Sequence, residues 1–375
     1  MDITYPQPLY LLGLSLLHFV LESAPNFAAW HSNLGNVLEG LHRLEEALAS
    51  YDRAIALEPD FIDANYNHGR NLLRQGNFAQ GWEKFEYRWK SPILAKNVCI
   101  PRNFLRPLWL GNESLHGKTI LLHAEQGLGD TLQFCRYIAC VVATGARVIV
   151  EVPEPLIYLL HASIAGVAHW YAKGVELPDF DYHCPLLSLP LAFHTRLGTI
   201  PAQIPYLCAD ANKVQHWQLL LGGKTKPRIG LAWSGRPEHQ NDHNRSLRLA
   251  DLIAYLPAQF DYVCLQKEVR DVDKFTLQTT PQIRSFCDAL TDFTDTAALI
   301  QNMDLIISVD TSIAHLAGAL GKPLWLLLLW VPDWRWMLDR TDSPWYPSAR
   351  LFRQPARGDW AQVLQQIGEE LLMIV

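Results

Sequence analysis

Residues 304–323 read DLIISVDTSIAHLAGALGKP, and this stretch decides the fold class. Its first part, DLIISVD, is a short apolar run rich in β-branched residues, of a length suited to a buried strand. Asp310 and Thr311 end that run, and Ser312 opens a helical stretch predicted to reach Leu320 before Gly-Lys-Pro stops it. A second apolar run, PLWLLLL at 323–329, follows at once; it suits a buried strand and is too short to cross a bilayer. Strand, helix and strand in this order, with both strands wholly apolar, indicate a parallel sheet covered on both faces.

The same pattern extends in both directions. RIGLAW (228–233), DYVCLQ (261–266) and IRSFC (283–287) read as further strands, and Thr294–Asn302 as a helix. Upstream, KTILLHA (118–124), a glycine turn, a helix with Leu128, Leu132, Cys135, Ala139 and Val142 on one face, and ARVIVEV (146–152) make a βαβ unit. Between the two series, Pro201, Pro205, Gly222 and Gly223 mark a linker. Two doubly wound halves turn the carboxyl ends of their strands toward a shared cleft, where ligands of such sheets bind.

The N-terminal quarter follows a different rule. Residues 28–61 and 62–95 match at an offset of 34: Gly35 with Gly69, Leu38 with Leu72, Leu44 with Phe78, Ala47 with Gly81, Tyr51 with Phe85. Ala47, Tyr51, Ala54 and Pro59 fill the small, aromatic, small and proline positions of a tetratricopeptide repeat, which this region resembles. The same phase carried backwards puts Gly13, Leu17 and Val20 on a helix of a partial repeat, so Leu9–Leu21 is read as that helix and not as a membrane span. So short a stack needs something to cap its apolar end, a role open to the following domain. Its surface reads equally as a packing appendage or as a groove for a peptide or partner protein. The expected organisation is therefore repeats over 1–95, linker 96–117, first α/β half 118–205, linker 206–226 and second half 227–375.

Of 375 residues, 49% are hydrophobic and 19% charged, with a formal charge of −6, which argues against a nonspecific nucleic-acid binder. Seven cysteines form no CxxC pair; the odd count fits a reducing compartment, and they read as core thiols. The expected location is cytoplasmic, or peripheral to the inner membrane, with no integral membrane segment. The tryptophans at 325, 330, 334, 336, 345 and 360 read as packing, with VPDWRW (331–336) at the cleft mouth.

Three motifs can carry chemistry. In AEQGLGDTLQF (124–134), Gly127 and Gly129 follow a strand and Asp130 begins a helix, so free amides face an anion or polar ligand; equally, Asp130 caps the helix. In SVDTSIAH (308–315), hydroxyls and helix amides suit a diphosphate; equally, Asp310 is a cap and His315 a core histidine. The loop 232–249, AWSGRPEHQNDHNRSLRL, carries Ser234, Arg236, Arg245 and Arg248, a second phosphate clamp. His239 and His243 are four apart, but the loop is not expected to be helical and no third ligand is evident, so no metal site is expected.

Taken together, GLGD at a first βα turn, the polar loop, and DTSIAH followed by ALGKP resemble glycosyltransferase family 9, over roughly Lys118–Gln354. The resemblance implies a GT-B fold and metal-independent transfer from a nucleotide-diphosphate sugar, used as co-substrate with no cofactor, to a glycan or protein hydroxyl. It implies that Asp130, in the turn with Gly127 and Gly129 on the acceptor side, is the general base. It further implies that Asp310, Thr311, Ser312 and His315, with Ser234 and Arg245 of the polar loop, hold the donor; Ser312 stands where the family has glycine. The competing functions are a repeat-containing adaptor with an inactive transferase-like domain and a nucleotide-sugar epimerase on the same fold.

Overall fold

The 34-residue repeat folds into antiparallel helices because its small residues let helix backbones approach. Helices α1 (Gln7–Ser23), α2 (Ala28–Gly40), α3 (Leu44–Leu57), α4 (Ile62–Arg74) and α5 (Phe78–Phe85) follow one another with short turns in the computed structural model, which describes residues 7–97, 99–239 and 241–374. A Cβ on Gly35 of α2 would come within 2.4 Å of the Tyr51 ring of α3, so only glycine admits that ring. Tyr51 is fully buried with Leu34, Leu38 and Ala47, and Leu14, Leu17 and Leu21 of α1 pack against this cluster. The helix expected at Leu9–Leu21 is therefore present and lies on the repeat core.

The chain folds as two compact units. The helical unit, Met1–Leu105, also takes in Pro190–Ile200 and Trp330–Arg340. These two later segments cap the stack: the Trp82 indole donates to the Thr195 carbonyl at 3.1 Å, and Trp334 meets Trp82 edge-on at 5.2 Å and Phe85 at 5.7 Å. Arg74, 1% exposed, donates to Glu39 at 2.9 Å and to the Pro332 carbonyl at 3.0 Å. VPDWRW, expected at the cleft mouth, thus packs on the repeat helices, because Trp334 fills the gap that a further repeat would fill.

The second unit, Arg106–Leu189, Pro201–Leu329 and Thr341–Val375, contains two all-parallel sheets. In the first, β1 (Thr119–His123), β2 (Arg147–Val152), β3 (Val167–Ala172) and β4 (Tyr182–Pro185) lie in the order β3-β2-β1-β4. In the second, β5 (Arg228–Ala232), β6 (Asp261–Cys264), β7 (Ile283–Ser285), β8 (Leu305–Val309), β9 (Leu324–Leu328) and β10 (Ala349–Arg353) lie in the order β10-β9-β8-β5-β6-β7. In both sheets the first strand is internal and the chain later crosses to its other side. The order therefore reverses between β1 and β4 and again between β5 and β8, leaving a crevice at each strand end. A helical repeat region followed by two such α/β halves is the fold class expected from the sequence.

Local expectations fail where a flank was taken for the whole. The segment 206–226 contains a helix, Ala211–Leu221, which Asp210 caps by accepting from the Lys213 amide and Gly222 ends at φ 68°. Trp217 of this helix is 1% exposed and donates to Asp295 at 3.4 Å, so the stretch packs on the second half. The single helix expected across 128–142 breaks into Leu128–Phe134, a tight 3₁₀ turn at Cys135–Tyr137, and Ile138–Val142, which turns Ala139 outward. Among the described residues no helix is long and apolar enough to cross a membrane.

Candidate active site

The strand ends at the two crossover points carry the motifs singled out above. After β1 the chain passes through Ala124–Gln126 into the helix Leu128–Phe134, with Gly127 as its N-cap. Asp130 is the third helical residue; its Oδ2 accepts from the Gly127 amide at 2.9 Å. The carboxylate thus reaches back over the start of the helix, where anionic groups are favoured.

After β8, Asp310 leads to Thr311, the N-cap of the helix Ser312–Ala319. Thr311 makes no side-chain cap bond; its hydroxyl lies 3.3 Å from that of Ser308. His315, 5% exposed, is in the first turn, with Nδ1 2.9 Å from the Tyr346 hydroxyl and Nε2 3.7 Å from the Asp310 carboxylate. The Leu128 and Ser312 helices meet: a Cβ on Gly129 would lie 2.8 Å from the His315 ring and 3.6 Å from the Ser312 Cα. Glycine at 129 is what lets the turn after β1 touch the one after β8.

After β5, the Trp233 and Ser234 amides donate to the Gln266 side-chain oxygen at 2.8 and 3.0 Å, and the Gln266 amide donates to the Ser234 hydroxyl at 3.1 Å. Further along, a one-turn helix, Asp242–Arg245, forms within the loop expected to be non-helical. Arg245 donates from Nη1 to the Asp310 carbonyl at 2.8 Å and pairs with Asp242, which Arg270 also holds while donating to the Gly235 carbonyl at 2.7 Å. Arg245 therefore joins the polar loop to the start of the Ser312 helix, while Arg236 and Arg248 point outward. His239 and His243 are both exposed, Gln240 between them lies outside the described residues, and no cluster of three or more His, Cys, Asp or Glu is placed to hold a metal among the described residues.

Three contributors escaped sequence reasoning. Arg136, 5% exposed, donates to the Trp345 carbonyl at 2.7 Å and the Tyr206 hydroxyl at 2.9 Å, and lies 4.7 Å over the Tyr346 ring. Burial alone would lower its pKa, but the surrounding tyrosines outweigh this and hold it raised, while burial pushes Tyr206 well up. Tyr206 passes its own hydroxyl to the Leu132 carbonyl at 2.9 Å. The group ties the Leu128 helix to the tyrosine that grips His315. Arg136 and Trp345 are 209 positions apart, and no spacing in the sequence announces the group.

Residues 288–327 match glycosyltransferase family 9 (heptosyltransferase). That segment contains Asp310, Thr311, Ser312 and His315 and stops short of Ser234, Arg245 and the 127–130 turn. Residues 28–61 match the tetratricopeptide repeat. The second unit thus carries a segment that matches this family, and the helical unit one that matches the repeat. Over 378 residues the chain is 25% identical to Protein FlbA of Caulobacter vibrioides, covering 94% of this chain and 62% of that protein. Among solved structures, a family 9 glycosyl transferase of Veillonella parvula aligns at TM-score 0.47 with 10% identity, over 70% of this chain and 97% of that one. The ADP-heptose lps heptosyltransferase II of E. coli aligns at 0.45 with 15% identity, over 68% and 98%.

Proposed function

We propose that this chain transfers a glycosyl group from a nucleotide-diphosphate sugar to a hydroxyl of a glycan or protein, without a metal, in the cytoplasm. The observation that carries this reading is the Arg245 to Asp310 bond, which sets a permanent cation beside the N-terminus of the Ser312 helix. The first amides of a helix have no acceptor within it, and the helix dipole adds positive potential there. Departure of a nucleotide diphosphate from the anomeric carbon leaves negative charge on the bridging phosphate oxygen, and this corner neutralises it. Thr311, Ser312 and His315 line the same turn, and Ser234 the neighbouring loop.

The acceptor hydroxyl is a weak nucleophile. Asp130 takes its proton as the oxygen attacks the anomeric carbon and the bond to the diphosphate breaks. Ser312 in place of glycine is compatible with this, because as the first helical residue it occupies a conformation open to any side chain. The repeat surface would recruit a peptide or protein acceptor.

One observation favours a second reading, an inactive adaptor: the bond from Asp130 to the Gly127 amide is what a purely capping aspartate makes. Asp130→Asn separates the two, since asparagine keeps an oxygen for the cap but is no base. Transfer should fall by about 10²–10⁴-fold while nucleotide affinity by calorimetry and the melting temperature hold. Equal turnover by the variant removes Asp130 from the chemistry, and nucleotide-sugar binding too weak to measure in the parent protein favours the adaptor.

A further inference from the structure

Cys264 closes β6, and Cys287 opens the single turn Cys287–Ala289 just after β7, the strand beside it. Cys264 is paired in register with Ser285, and at Phe286 the chain leaves the strand conformation (φ −130°, ψ 28°) before reaching Cys287. Both sulfurs lie against one carbonyl oxygen, that of Gln266, at 3.0 Å from the Cys287 Sγ and 3.8 Å from the Cys264 Sγ. The Ser285 hydroxyl lies 3.0 Å from the Cys287 sulfur. Cys264 is fully buried, whereas Cys287 is half-buried and reachable from solvent.

We propose that Cys264 and Cys287 form an oxidisable dithiol, which a hydroperoxide converts to a disulfide at the edge of the second sheet. The two members divide the work. Cys287 is held down at about 6, chiefly by the Cys264 thiol beside it and against the pull of burial, so it is the thiolate that attacks. Its neighbour Cys287, with burial, pushes Cys264 well up, so it stays protonated. In the first step the Cys287 sulfur attacks the peroxide, the O–O bond breaks, a sulfenic acid forms and one molecule of water (or alcohol) leaves. In the second, the Cys264 sulfur attacks that sulfenic acid, the S–O bond breaks, and a second water carries away the oxygen with the thiol proton. Two thiols have given two electrons to the peroxide bond, and no other reductant takes part.

The remaining thiols lack this arrangement. Cys99, Cys135 and Cys184 are buried, burial pushes Cys135 up to about 12, and Cys140 is also raised. Cys208 is exposed and serves as an internal reference. The gathering of two sulfurs at one carbonyl concerns the molecule's response to oxidants and holds whether or not sugar transfer is its activity.

The test uses the full chain, freed of reductant and exposed to one equivalent of hydrogen peroxide, then alkylated under denaturing conditions and digested without reduction. Mass spectrometry should find the peptides holding Cys264 and Cys287 joined, two hydrogens lighter than their sum, with Cys208 still alkylated. At pH 6.5 the native Cys287 should alkylate about tenfold faster than Cys208. Cys287→Ser should abolish the joined peptide and leave the other thiols unchanged. Peroxide that leaves both cysteines free, drives Cys287 to sulfinic acid with Cys264 still a thiol, or joins another pair first would overturn the proposal.

Discussion

Replacing Gly129 by alanine sets two effects against each other, and their balance has a definite sign. Removing a glycine from a helix gains at most about 1 kcal/mol. The new methyl group, however, would lie 2.8 Å from the His315 Cδ2 and 3.5 Å from its Nε2. That ring is not free to swing away: it is 5% exposed, held at Nδ1 by Tyr346 at 2.9 Å and faced at Nε2 by Asp310 at 3.7 Å. Forcing a methyl group into a packed contact costs about 1–3 kcal/mol, and against so fixed a ring the upper part of that range, about 2–3 kcal/mol, applies, so the net effect is a loss of about 1–2 kcal/mol. At about 2–4 °C per kcal/mol for a domain of 150–250 residues, the melting temperature of the α/β unit in scanning calorimetry should fall by about 2–8 °C. Nucleotide affinity should fall with it, because His315 and Ser312 move together. A rise in melting temperature would mean that helix propensity wins and that the two helices do not meet at residue 129.

Arg245→Ala should weaken binding of a nucleoside diphosphate at least tenfold by calorimetry, since it removes the cation bonded to the Asp310 carbonyl; unchanged affinity would place the phosphates elsewhere. Trp334→Ala, which empties a site 2% exposed between Trp82 and Phe85, should destabilise the helical unit by about 3–5 kcal/mol in urea unfolding. The helical unit should also be acid-sensitive. Burial by itself would raise Glu39 and Asp333, but Arg74 and Arg70 around the first and Arg335 and Arg70 around the second outweigh it and hold both carboxyls low. A folded pKa below the unfolded one stabilises fully above the unfolded value and is lost as the pH falls through the folded value. Melting temperature should therefore decline on acidification below about 4.5, and less steeply in Glu39→Gln.

What could be read in the sequence were features whose cause is local. Leu305–Val309 and Leu324–Leu328 are internal strands buried at every position, so their apolar runs stand out. Edge strands stand out less: β3 reads VAHWYA and is exposed at two of its positions, and β10 reads ARLFR with arginine at its end, so neither was foreseen, whereas β7, also at an edge, was read from IRSFC. The repeat was legible because its packing returns every 34 residues, whereas its cap, Trp334, lies some 250 positions from Trp82 and shows no period. At the candidate site, Asp130 and Asp310 were singled out from their turns and the loop arginines from their charge, with Arg245 chosen among them by the family resemblance. Tyr346, Arg136 and Gln266 act through folding alone, and a lone tyrosine, arginine or glutamine in an ordinary stretch gives no signal. The cysteines, expected in the core, divide instead: Cys208 is exposed, and Cys140 and Cys287 are half-buried.

The dependence of the helical unit on Trp330–Arg340 bears on the order in which the chain can mature during synthesis. More than two hundred residues separate Leu105 from Trp330. At about 5–20 residues per second a ribosome needs about 10–45 s to bridge that interval, and until then Trp82 and Phe85 wait without their aromatic partner. A fragment ending at Leu105 would stay in that unfinished condition, an apolar surface for chaperones to hold. The repeat helices thus leave the ribosome well before the segment that completes them.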